Sequence, residues 1–189
     1  MMTALRERKI FTVRDYHKMI DAGVFIGNSD YELIEGEIVK KMPQGKLHIA
    51  SINRLNMLFA PRLAGEAIVS VQNAIVIGDI SEPEPDVTLL KFREDFYSAG
   101  KATAEDVLLL IEVSDSTVKY DRDVKIKIYA EAGVREVWLV NLPRQILEVH
   151  LEPEKGKYRL VKKYEKSESL TPSLLPEIKL QVSDIIRRI

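Results

Sequence analysis

The sequence predicts an α/β fold: a mixed β-sheet flanked by helices, preceded by an N-terminal helix and a β-hairpin. Three observations carry that expectation. Val107-Leu108-Leu109-Leu110-Ile111 is a continuous apolar run of the kind found in strands covered on both faces. A helical repeat over 120–132 leads to a second apolar run, Val137-Trp138-Leu139-Val140, so strand, helix and strand make a right-handed parallel crossover. Ile146 to Leu151 and Tyr158 to Tyr164 form an antiparallel pair across a Glu-Lys-Gly turn, which makes the sheet mixed.

The elements follow in chain order. Thr12-Val13-Arg14-Asp15 has the form of a capping box with Asp in the Glu position, and opens a short helix to about Ala22, ended by Gly23. Tyr31 to Ile34 and Glu37 to Lys40 flank Glu35-Gly36, a two-residue hairpin turn in which Gly supplies the positive φ. Glu32, Ile34, Glu37 and Val39 then share one face. A second helix is expected over about Lys46 to Leu63, with His48, Ile52, Leu55, Phe59 and Leu63 at helical spacing. Ala67 to Ile77 and Asp86 to Lys91 read as strands, and Arg93 to Glu105 as a polar loop with a short helix. The helix at 120–132 has Gly133 at its C′ position, and Ser183 to Arg188 reads as a short closing helix.

Composition narrows the function classes. With 189 residues, 46% of them apolar, the chain can bury a sizeable core and is expected to form one domain. No stretch approaches the roughly 20 apolar residues of a membrane span. Met1 to Lys9 is charged and lacks an apolar h-region, so no signal peptide is expected. The absence of cysteine removes disulfide and thiolate chemistry and fits a reducing cytoplasm. The net charge of −1 means that contact with nucleic acid must be made by a local patch. Lys40, Lys41, Lys46, Arg54 and Arg62 are candidates for one, although charges so scattered also serve plain solvation.

The candidate chemistry lies with acids at buried elements. Glu112 ends the apolar run, on the face of Leu110 and Ser114, where a carboxylate needs a partner or a metal ion unless the strand frays there. Asp86 begins the preceding strand and is either a second acid or a cap. Together they suit Mg²⁺ or Mn²⁺, which take oxygen ligands and retain waters, with a backbone carbonyl near Val113 to complete the set. On the helix, Asp121, Lys125, Ile128, Tyr129 and Ala132 fall on one stripe, with Asp123, Lys127, Ala130 and Glu131 opposite. Lys125 on an inward stripe requires an acid or a phosphate; the plainer alternative is an Asp121–Lys125 surface pair. Glu32 and Glu37 are either solvated hairpin charges or a further acid, and His48 either a buried hydrogen-bonded residue or part of the site. His17 and His150 are isolated, and no zinc pattern, phosphate loop, Gly-x-Ser-x-Gly or dinucleotide fingerprint is present.

Taken in order, Tyr31-Glu32-Leu33-Ile34-Glu35-Gly36-Glu37, His48, Pro85-Asp86, Ile111-Glu112-Val113-Ser114, Asp121-x-x-x-Lys125 and Tyr129 through Val140 resemble the Uma2 family of the PD-(D/E)XK nuclease superfamily, over roughly Thr12 to Leu151. The superfamily motif places Lys two residues after the acid, where this chain has Ser114; Lys125 matches a lysine migrated to the following helix. The resemblance implies a restriction-endonuclease-like core, metal ligation by Asp86 and Glu112, and a Lys125 that orients or activates the attacking water. Glu32 or Glu37 would supply a further acid, and His48 would sit behind the ligands near the hairpin face. Tyr129, Gly133 and the Trp138 strand read as structural signature. The implied partner is nucleic acid, DNA first, handled by a homodimer. The rival class is a non-catalytic binding or assembly domain on the same fold, which the near-neutral charge suits; the intact acid and lysine set favours the enzyme.

Overall fold

The computed structural model describes residues 8–25 and 31–187. Its centre is a six-stranded sheet in the order β3 (Ala67–Val71), β4 (Val87–Lys91), β5 (Val107–Ser114), β6 (Glu136–Asn141), β7 (Ile146–Glu154), β8 (Lys157–Tyr164). β5 and β6 are parallel and every other neighbouring pair is antiparallel, so the sheet is mixed as expected. All six residues of β6 are buried, and its four central ones, Val137 to Val140, form the apolar run.

The two sheet faces bury separate cores. Leu109, Ile111, Val113, Trp138 and Val140 pack beneath helix α2 (Lys46–Phe59), together with the C-terminal segment from Leu170 to Ile186. That segment includes the short strands β9 (Ser169–Leu170) and β10 (Leu180–Gln181) and helix α4 (Val182–Ile185). On the other face, Leu90, Leu110, Val137 and Leu139 pack beneath helix α3 (118–131) and the hairpin of β1 (Tyr31–Ile34) and β2 (Glu37–Lys40), which contributes Ile34 and Val39. Helix α1 (Val13–Asp21) carries the capping box, with Thr12 and Asp15 bonded reciprocally. The hairpin register is the expected one, with Glu32 opposite Val39 and Ile34 opposite Glu37.

Several boundaries differ from the sequence expectation. β3 stops at Val71 rather than Ile77 because Gln72 turns to φ 52°, and the Val76 amide then bonds Ala102 instead of a strand neighbour. α2 stops at Phe59 rather than Leu63, just before Pro61, which cannot continue the amide ladder. A 3₁₀ turn, Ala104–Asp106, is the short helix before β5. The closing helix is Val182–Ile185; Arg188, where it was expected to end, lies outside the described residues. The largest departure is α3. It runs as α-helix over Val118–Tyr120, π-helix over Asp121–Lys125 and α-helix again over Ile126–Glu131. The Ile126 amide bonds the Asp121 carbonyl, five residues back. Single π turns of this kind are frequent at functional sites.

Candidate active site

The ends of β4 and β5, the first turns of α2 and α3, and the hairpin enclose a cavity of about 740 Å³. Each candidate side chain arrives by a local cause. Strand alternation places Glu112 on the Leu110 face of β5. Thr88 pairs with Leu110, so two residues earlier Asp86 emerges on the same face, beside the end of β5. The π turn of α3 keeps both Asp121 and Lys125 buried and turned to the cavity, while Asp123 remains exposed. Glu32 comes from β1, whose register with β2 faces it inward.

These groups converge. Lys125 Nζ lies 3.1 Å from Glu32 Oε2 and 3.5 Å from Glu112 Oε1. Glu32 Oε2 also accepts the Glu84 amide at 3.2 Å. The Tyr129 hydroxyl donates to Glu112 Oε1 at 2.6 Å. Asp86 Oδ2 accepts the Val113 amide at 2.8 Å and lies 2.9 Å from His48 Nε2. Asp121 Oδ2 accepts the hydroxyls of Ser114 at 2.5 Å and Thr117 at 2.6 Å. All five charged groups are buried, Glu112 at 2% exposure and Asp86 at 8%. Lys125 therefore pairs with Glu32 and Glu112; a surface pair with Asp121 does not form.

Four acids around one ammonium set the electrostatics. Burial works against the Lys125 charge, but Glu112, Glu32, Asp121 and Asp86 outweigh it and hold the amine above the ordinary lysine value. Burial, with Asp86 and Asp121 adding to it, pushes Glu112 up to about 8 against the pull of Lys125 and Tyr129. One lysine shared among several carboxylates keeps its own proton and cannot discharge them all, so the most buried acid takes one up. Burial likewise raises Asp121 despite its two hydroxyl donors. For His48 burial lowers the affinity for a proton, and the Asp86 hydrogen bond with the Asp86, Asp121 and Asp115 charges reverses this into a net rise.

Not every expected residue belongs. Glu37 is exposed and pairs with Arg8 at 2.8 Å, away from the cavity, because it stands at the open turn end of its hairpin face. Glu32, on the same face at the inner end, is 4% exposed, which overturns the solvated alternative for it. Ala130, placed on the solvent stripe of α3, is buried, because the inward face of that helix is wide enough to include Ile126 as well. Val113 lines the cavity, with its amide committed to Asp86. Tyr129 does more than pack, since its hydroxyl holds Glu112, and the hydroxyl clamp on Asp121 is absent from the sequence expectation. Both had a signal: Tyr129 lies one helical turn after Lys125 on the same stripe, and Ser114 shares the Glu112 face.

Among the described residues no cluster of three or more His, Asp or Glu side chains is arranged to hold a metal ion. The donor chemistry nevertheless fits a hard cation that takes few protein ligands and retains water. The hydrogen bonds of Asp86 run through Oδ2 and those of Glu112 through Oε1, so Asp86 Oδ1 and Glu112 Oε2 have no protein donor among the described residues.

Comparison with known proteins bears on the fold and the family. A crystal structure described as "a putative nuclease belonging to DUF820 from Anabaena variabilis ATCC 29413" superposes with a TM-score of 0.69 at 20% identity, covering 93% of this chain and 97% of that one, so the two share a fold. The type IIG restriction endonuclease BpuSI overlaps 56% of this chain and 11% of its own at 18% identity, with a TM-score of 0.36, too slight a likeness to build on. No curated protein sequence matches. Residues 13–183 match the family described as "Uma2: Putative restriction endonuclease", and the chain belongs to that family.

Proposed function

We propose that the protein is a divalent-metal-dependent phosphodiesterase acting on DNA. The observation that carries this reading is the Lys125 ammonium, set 3.1 Å from Glu32 and 3.5 Å from Glu112 in the cavity that Asp86 also lines. Asp86 and Glu112, with the Val113 carbonyl, would hold Mg²⁺ or Mn²⁺. A bound ion of this class supplies Lewis acidity and offsets charge gathering on the phosphoryl group. A lysine that stays protonated is no proton acceptor, so Lys125 orients the nucleophile and offsets developing negative charge. Glu32, fixed by Lys125 and the Glu84 amide, is the acid placed to receive a proton. His48 holds Asp86 in orientation, and Tyr129 does the same for Glu112.

Incubation of circular single-stranded and linear duplex DNA with Mn²⁺ tests the proposal. Wild type cleaves at least one of them, and both Glu112→Gln and Lys125→Ala abolish the cleavage. Equal behaviour of wild type and both variants removes the nuclease reading and leaves a non-catalytic nucleic-acid-binding domain on this fold.

A further inference from the structure

We infer, building on that nuclease reading, that the site takes an unpaired DNA strand in preference to a duplex. The first reason is access. Glu112, Glu32, Asp121, Lys125 and Asp86 are 2–8% exposed and sit within a concave cavity of about 740 Å³. A paired and stacked duplex is convex and stiff, and its nucleotides enter a pocket only after being extruded from the stack. An unpaired strand can splay a nucleotide inward at no such cost.

The second reason is charge. Duplex binders track many phosphates with free lysines and arginines. Here three of the four lysines that line the cavity are already engaged: Lys41 pairs with Glu84 at 2.5 Å, Lys119 with Asp123, and Lys125 with the buried acids, which leaves Lys40 without an acid partner among the described residues. What remains suits contact with a phosphate or two, not a long backbone.

The third reason is the wall. Val39, Met42, Val124 and Tyr120 present apolar surface to the cavity, and Met42 is 66% exposed. The Tyr120 hydroxyl is buried and has no hydrogen-bond partner among the described residues, whereas the residue as a whole is only half-buried. Tyr120 lines the cavity with its hydroxyl shut off from solvent, so in the proposed site it acts through its ring. Single-strand binders use aromatic rings in this way, as faces on which unpaired bases stack. In paired DNA that base face is hidden in the helix stack.

The test uses the full chain carrying Glu112→Gln, with Mg²⁺ and fluorescein-labelled 20-mer DNA, single-stranded or annealed to its complement, read by fluorescence anisotropy. The single strand binds about tenfold or more tighter than the duplex. Adding Tyr120→Leu, which keeps apolar volume and removes the ring face, erases most of that difference. Adding Tyr120→Phe, which keeps the ring and removes an unpartnered hydroxyl, retains the single-strand preference that Tyr120→Leu loses. Duplex binding as tight as single-strand binding, or a Tyr120→Leu protein that folds and still prefers the single strand equally, overturns the inference. Wild-type cleavage confined to the linear duplex overturns it too, yet leaves the nuclease reading standing. Absence of both binding and cleavage for either DNA form ends the two together.

Discussion

Glu112→Gln should make the metal-free protein more stable, although it removes the residue on which the proposed chemistry depends. Glu112 is 2% exposed, and burial raises its carboxyl from 4.5 to about 8. A folded-state value above the unfolded one means that stability is fully present below pH 4.5 and is lost as pH rises through about 8. At about 1.4 kcal/mol per tenfold change in proton affinity, the full cost approaches roughly 5 kcal/mol above that pH. Gln carries no charge but brings a buried N–H₂ that wants partners, at about 1–3 kcal/mol. The net gain at pH 8 is then about 2–4 kcal/mol, or about 4–16 °C for a chain of this size. At pH 4.5 wild-type Glu112 is neutral like Gln, so only the cost of the buried N–H₂ remains and the variant is the less stable by about 1–3 kcal/mol. Thermal melts of both proteins in EDTA from pH 4.5 to pH 8.5 measure this directly. A variant no more stable than wild type at pH 8, or a gain of the same size at both ends of the range, refutes the electrostatic account of the cluster.

Four further outcomes follow from the same geometry. Lys125→Met strands Glu32 and Glu112 without their shared cation and should lower stability by about 3–5 kcal/mol, read by urea denaturation. Titration of wild type with Mg²⁺ should raise the melting temperature progressively, by an amount equivalent to about 2.7 kcal/mol at a hundredfold excess over Kd, and Asp86→Ala should remove most of that rise. Glu37→Gln, at an exposed position paired with Arg8, should change stability by less than about 0.5 kcal/mol and leave cleavage at the wild-type rate. His150, whose burial lowers its proton affinity from 6.5 to about 4, should make the protein lose stability as pH falls from 6.5 toward 4, and His150→Gln should flatten that slope.

The architecture was legible because burial on both faces leaves an unmistakable mark. β5 and β6 are apolar nearly throughout, and the helix between them keeps its stripe from Asp121 to Tyr129, so the parallel crossover could be placed to within a few residues. The shortfalls have local causes. Ile75 and Ile77 are apolar because they fill the core beneath the sheet, not because they are strand, and nothing in the pattern of a short apolar run separates the two. The π turn in α3 leaves no periodic signature, since Asp121, Lys125 and Tyr129 recur every four residues, a spacing that shares a face in either kind of helix.

The sequence by itself determined where the main strands and helices form and that Glu112 stands on a strand with apolar neighbours, because period and hydrophobicity fix the face a side chain occupies. It also singled out Lys125, through an inward position no solvated lysine would take. Tertiary structure alone decided which charges meet. Glu32 and Glu37 lie on one face of one hairpin, yet only the docking of that hairpin over β5 buries the first against Lys125 and leaves the second with Arg8. Likewise His48 and Asp86 come 2.9 Å apart across 38 residues of chain. The energy of a charge depends on how far its neighbours and water stand from it in space, and local pattern carries no such distance.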